Sequence, residues 1–184
     1  MEDARVGRRY AQALYSAARN LDVVASVESD LASIVGLLES DEKFRNFLVA
    51  PFASRDEKVA VAERVFSDRV TALTMQVLRV MLEKRREEEI PAVYKEYIAL
   101  RREASGIVYV VVTSAVELTP DQQSRLISKL QTKVGAPVEA DYLVDPRIIG
   151  GVRVAFGNSI LDGSVRGALN RLRERLQYDL LKQA

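Results

Sequence analysis

Cysteine and histidine are both absent from the 184 residues. Without cysteine there is no disulfide frame and no thiolate nucleophile. Without histidine the chain lacks the commonest general base near neutral pH and the commonest transition-metal ligand. A hydrolase triad or a zinc site is therefore close to excluded. Charge of one sign is missing too. Lysine and arginine number 27 against 26 aspartates and glutamates, for a net charge of +1. No bulk field therefore draws the chain to nucleic acid or acidic lipid. No apolar run approaches the roughly 18–20 residues that span a bilayer. The first residues are charged and form no signal-peptide core, so membrane association is expected to run through partner proteins. Neither a P-loop nor a dinucleotide-binding glycine motif occurs.

What remains is apolar and periodic. Hydrophobic residues make up 48% of the chain, ample for one large or two small domains. From about Asp3 to Arg19 the spacing predicts a helix with Val6, Tyr10, Ala13 and Ala17 in one stripe. Ala11, Leu14, Tyr15 and Ala18 widen the apolar arc to roughly half the wheel, more than one core contact requires. Two readings follow, a helix buried nearly all round and a helix that binds a partner. Further helices are expected over 22–39, 41–49, 55–67 and 69–83, with Ser54-Arg55-Asp56-Glu57 as a capping box. The fifth helix repeats the surplus: Val70, Leu73, Val77, Val80 and Met81 on one side, widened by Met75, Leu78 and Leu82. Glu83 to Glu89 is a mixed-sign charge run, expected to be a solvated turn. Pro91 then opens a sixth helix.

At Ser105-Gly106 the period changes from helical to alternating. Ile107 to Thr113 reads as a buried strand. Thr119-Pro120-Asp121-Gln122 starts a helix that ends at Gly135, and 138–144 alternates as a second strand. The expected fold class is α+β: an N-terminal six-helix bundle over residues 1–105, then a small α/β domain with a terminal helix over 106–184.

The most informative stretch runs from Asp145 to Gly167. Gly150-Gly151 marks a bend, Val152 to Phe156 alternates as a strand, and Gly157-Asn158 can turn a hairpin. Asp162 or Ser164 then caps a helix with Val165, Ala168, Leu169, Leu172 and Leu176 at helical spacing. Asp141, Asp145 and Asp162 could suggest a divalent-metal cluster, but their neighbours fit turns and caps better. The last helix also carries Arg166, Arg171, Arg173, Arg175 and Lys182 against Glu174 and Asp179. That face reads as a solvated surface, as a contact for an acidic helical partner, or as a nucleic-acid contact. The last is weakest, since no RNA-stacking aromatic pattern accompanies it.

This stretch resembles the signature of the delta subunit of bacterial F-type ATP synthases, the family of the mitochondrial oligomycin sensitivity-conferring protein. The matching residues are Gly150, Gly151, Asp162 and Ser164, assigned to fold and caps. Arg9-Tyr10-Ala11-Gln12-Ala13-Leu14-Tyr15 resembles the family's opening helix. The resemblance implies a non-catalytic stator subunit of the peripheral stalk, one copy per complex, with no cofactor and no catalytic or metal residue. It implies that the helical domain binds N-terminal helices of the alpha subunits in a groove between the first and fifth helices. By motif that groove involves Tyr10, Ala11, Ala13, Leu14 and Tyr15; by wheel geometry Leu78 and Leu82 join them. The C-terminal domain is expected to bind the b subunits, with the terminal helix as the contact. The implied location is the cytoplasmic face of the bacterial plasma membrane, with no direct lipid or nucleic-acid contact. A small two-domain RNA-binding protein is the alternative.

Overall fold

The computed structural model describes the backbone of residues 2–182 and the side chains of residues 5–178. Six helices come first: α1 (Glu2–Asn20), α2 (Val24–Ser40), α3 (Glu42–Val49), α4 (Arg55–Phe66), α5 (Ala72–Glu83) and α6 (Ile90–Ala104). There follow β1 (Val108–Ser114), α7 (Pro120–Val134), β2 (Val138–Val144), β3 (Val152–Phe156), β4 (Ser159–Asp162) and α8 (Val165–Lys182). The protein is thus mixed α+β, and it divides into two compact units after Arg101, in the last turns of α6.

Helix ends in the first unit follow local chemistry. The Asp41 carboxylate accepts from the Phe44 amide and starts α3. Ser54 and Glu57 form the expected capping box on α4. Helix α5 begins three residues later than its apolar period suggests. The Thr71 hydroxyl accepts from the Thr74 amide, and the buried Asp30 of α2 takes both the Thr71 amide and its hydroxyl at 2.7 and 2.8 Å. Thr71 is held as the cap and cannot lie inside the helix.

Every one of the six helices contributes to one core. Leu14 and Ala18 pack with Leu31, Ile34, Leu48, Phe66, Leu82 and Tyr97, among others. Gly7 lets α1 approach α6 closely: a Cβ there would lie 2.9 Å from that of Ala92. Tyr97 stacks edge-on against Tyr15 and donates its hydroxyl to the Val24 carbonyl at 3.1 Å. Burial pushes its phenol up to about 12, so it stays a donor.

The charge run 83–89 differs from expectation. It is not solvated throughout, because a 3-10 turn at Glu87–Glu89 directs Glu87 and Glu89 inward. Glu87 pairs with Lys58 of α4, whose side chain is only 2% exposed. The other carboxylate oxygen of Glu87 is buried with no protein partner.

The second unit is built on a four-stranded sheet in the order β2-β1-β3-β4. β1 and β2 are parallel, as the intervening α7 requires. β3 runs antiparallel to β1, and β4 returns antiparallel to β3. Val110, Val112, Val138 and Val154 form the core with Leu130 of α7. β1 is not buried on both faces as its unbroken apolar run suggests. Val110, Val112 and Ser114 are buried while Tyr109, Val111 and Thr113 are half-exposed. A continuous apolar run does not distinguish one-sided from two-sided cover.

Candidate partner-binding site

Helix α1 uses only part of its apolar arc for the core. Gly7, Ala11, Leu14 and Ala18 are buried. The neighbouring stripe Val6, Tyr10, Ala13 and Ala17 stays half-buried or exposed. Its spacing is i, i+4, i+7 and i+11, the pattern by which one amphipathic helix receives another. A concavity of about 430 Å³ opens on it, with Val6, Tyr10 and Ala13 as its apolar lining and Arg9 and Arg86 as its charged lining. The surface offers shape, apolar contact and two guanidinium groups.

The residues singled out in sequence separate into two sets. Tyr10 and Tyr15 are half-buried, and Ala13 is exposed. Ala11, Leu14, Leu78 and Leu82 lie in the core. Leu78 and Leu82 come from the inward side of α5; Leu73 and Val77 are half-buried and Val80 is exposed. A helical wheel fixes the width of an apolar arc but not which half faces in. Leu14 is 1% exposed, so Leu14→Asp would bury a carboxylate and disturb the core before reporting on any groove. Val6 lies outside the opening motif, although its place in the outer stripe marks it.

In the second unit Gly150, Gly151, Asp162 and Ser164 come together at the start of α8. The Gly150 carbonyl accepts from the Val165 amide at 2.9 Å, and the Gly163 amide donates to the Val152 carbonyl at 3.0 Å. The Ser164 hydroxyl accepts from the Gly167 amide at 3.0 Å and caps the helix. Asp162 positions that serine, accepting from its amide at 2.9 Å and its hydroxyl at 2.6 Å. These bonds hold the Asp162 carboxyl below the usual range, the Ser164 hydroxyl contributing most. Ser164 is therefore the cap, and Asp162 is its support.

Two measurements check this arrangement. Ser164→Ala is expected to cost about 1 kcal/mol and to speed amide exchange at Gly167. Because the folded-state pKa of Asp162 is depressed, its contribution is complete above the unfolded value of about 4 and is lost as pH falls through the folded one. An acid NMR titration of the Ser164 amide should show that transition in the wild type and lose it in Asp162→Asn.

Beyond the cap, α8 stands largely uncovered. Leu169, Leu172 and Leu176 are 54%, 54% and 56% exposed, and Val165 is exposed beside them. These too recur at i, i+4, i+7 and i+11. Arg166, Arg171, Arg173 and Arg175 are also exposed, while the side chains of Asp179 and Lys182 lie outside the described residues. Among the described residues no three acidic side chains form a metal-binding group, and no helix is long and apolar enough to cross a membrane.

Residues 6–176 match the family described as ATP synthase delta (OSCP) subunit. The chain belongs to that family. It is 37% identical over 176 residues to the ATP synthase subunit delta of Symbiobacterium thermophilum, covering 96% of this chain and 95% of that one. It is 36% identical over 172 residues to the subunit delta of Gemmatimonas aurantiaca, covering 93% and 92%. Its fold matches a chain of the Toxoplasma gondii mitochondrial ATP synthase hexamer, with TM-score 0.74 over 93% of this chain and 97% of that one, at 22% identity. Delta-family membership makes this a non-catalytic stator subunit of an F-type ATP synthase.

Proposed function

We propose that the two units grip two different partners of the stator. The six N-terminal helices, within residues 1–105, act as one bundle that receives N-terminal helices of the alpha subunits on the outer stripe of α1. The small α/β domain, within 106–184, holds the b subunits through α8. One copy per complex then joins the catalytic head to the stalk on the cytoplasmic face of the bacterial plasma membrane, touching neither lipid nor nucleic acid. The observation that carries this reading is the apolar stripe Val6, Tyr10, Ala13 and Ala17, half-buried or exposed beside a filled core. A coupler under cyclic torque needs contacts of this kind rather than an acid, a base or a metal. Two grips also reinforce each other through effective concentration, so neither has to be extremely tight.

Ala13 supplies the test because it lies on the exposed edge of the stripe. Ala13→Arg places a long cation across the apolar contact while the fold is kept. It is expected to weaken calorimetric binding of an alpha N-terminal peptide by roughly tenfold or more, because the added cation is desolvated against the apolar contact. The thermal midpoint should change little. Unchanged affinity in a folded variant would remove this stripe from the interface.

A further inference from the structure

The charge on α1 is of one sign. From Ala4 to Leu21 the sequence carries Arg5, Arg8, Arg9 and Arg19 and no acidic residue, although the chain as a whole is near neutral. On the wheel Arg9 stands about 70° from the Val6–Tyr10–Ala13–Ala17 stripe, on the side away from the core, while Arg8 and Arg19 fall on the far face. The concavity on this stripe takes its charged lining from Arg9 and Arg86, and among the described residues no acidic side chain lines it. Both arginines are exposed, and among the described residues neither forms an ion pair or a side-chain hydrogen bond. Arg86 reaches this place through the end of α5. Its amide donates to the Met81 carbonyl at 2.9 Å, and the Arg85 amide donates to the Leu82 carbonyl at 3.1 Å. These are the paired bonds that close a helix through a left-handed residue, and Arg85 takes that position with φ of 54°. The 3-10 turn at Glu87–Glu89 then packs beside α1. With its backbone held on both sides, Arg86 is set at the groove by the fold.

We propose that this concavity seats a carboxylate side chain of the alpha N-terminal helix, beside the apolar anchor that packs on Val6, Tyr10 and Ala13, and that Arg9 and Arg86 hold it. An acid three or four residues from an anchor lies on the same face of the incoming helix, so one helix delivers both groups. Apolar contacts along a stripe tolerate sliding by a turn; a carboxylate bound to guanidinium groups of one concavity does not. The same cations select against a partner with a basic face. A concave seat also suits a projecting side chain better than a flat anionic surface. The inference rests on the reading that the outer stripe of α1 receives the alpha subunits, and it adds the chemistry that sets their register.

The test uses the full chain and an alpha N-terminal peptide from the same complex, titrated calorimetrically at low and at physiological salt. Arg9→Gln with Arg86→Gln is expected to weaken binding roughly tenfold and to flatten its salt dependence. A peptide with its acidic residues changed to Asn and Gln should bind the wild type as weakly, and should lose little more on the double variant. Arg8→Gln with Arg19→Gln removes the same charge from the far face of α1 and should leave affinity within about twofold of the wild type. An equal loss in that pair would show a general field rather than a seat, and would overturn the proposal. If the Arg9 and Arg86 variant binds like the wild type while Ala13→Arg fails, the carboxylate seat is wrong and the α1 contact stands. If the wild type does not bind the peptide, both are wrong. Retention of the wild type on phosphatidylglycerol vesicles that the Arg9 and Arg86 variant loses would assign the cations to a lipid surface and also overturn the proposal.

Discussion

Lys58→Met is expected to lower the stability of the helical unit by about 3–5 kcal/mol, measured as a drop in urea midpoint followed by circular dichroism. The side chains of Lys58 and Glu87, whose ammonium and carboxylate pair, are 2% and 7% exposed. Methionine keeps the length and volume of the lysine but leaves Glu87 buried with no cation. Its second oxygen already lacks a protein partner, so no spare bond takes up the load. The double variant Lys58→Met, Glu87→Leu should recover most of the loss, since removing both charges also removes both desolvation costs. A single-variant loss under about 1 kcal/mol would mean that the pair behaves as a solvated one.

That pair also marks the limit of what the sequence discloses. Caps written within three residues were legible. The Ser54–Glu57 box stands as its pattern indicates, and so does the Thr119–Gln122 box. The hairpin at Gly157-Asn158 falls between β3 and β4 as its turn residues demand. Features that depend on distant partners were not legible. Lys58 and Glu87 are 29 positions apart, and Asp30 reaches Thr71 across 41. Lysine and glutamate are ordinarily surface residues, so composition assigns both to solvent. The same holds for the site. The width of the apolar arc on α1 signalled a helix with more grease than its core needs. Which half was surplus depended on how α1 packs against α2 and against α5, which is distant in sequence.

The apolar stripes on α1 and α8 share a spacing, but they are supported differently. The α1 stripe adjoins a core that already fixes the helix through Ala11, Leu14 and Ala18. The described α8 side chains are exposed almost throughout, so its stripe has little packing beneath it. Orientation of α8 rests instead on its first turn. Alteration of that turn should therefore act on the second unit's partner contact while leaving the first unit's contact intact.

Gly151→Ala is the substitution that acts there most strongly. Gly151 has φ of 75°, a conformation that costs a side-chain-bearing residue about 1–2 kcal/mol. Space is also missing. A Cβ at 151 would lie 2.4 Å from the Gly163 carbonyl oxygen and 3.2 Å from the Ser164 Cα. Those are backbone atoms, held by the Gly163-to-Val152 and Val165-to-Gly150 bonds, and they cannot swing aside as a side chain would. The overlap adds about 1–3 kcal/mol. Both effects fall on the crossing that sets where α8 begins. Hydrogen exchange should show the Val165 and Gly167 amides losing protection, and binding of a soluble b-subunit segment should fall with them. Protection across α1 to α5 and binding of the alpha peptide should be unchanged. Gly36→Ala provides the contrast: it lies inside α2, where an added Cβ would meet nothing within 4 Å, and it should stabilise by about 0.5–1 kcal/mol. Wild-type protection at Gly167 in Gly151→Ala would show that the start of α8 is held by something other than this backbone crossing.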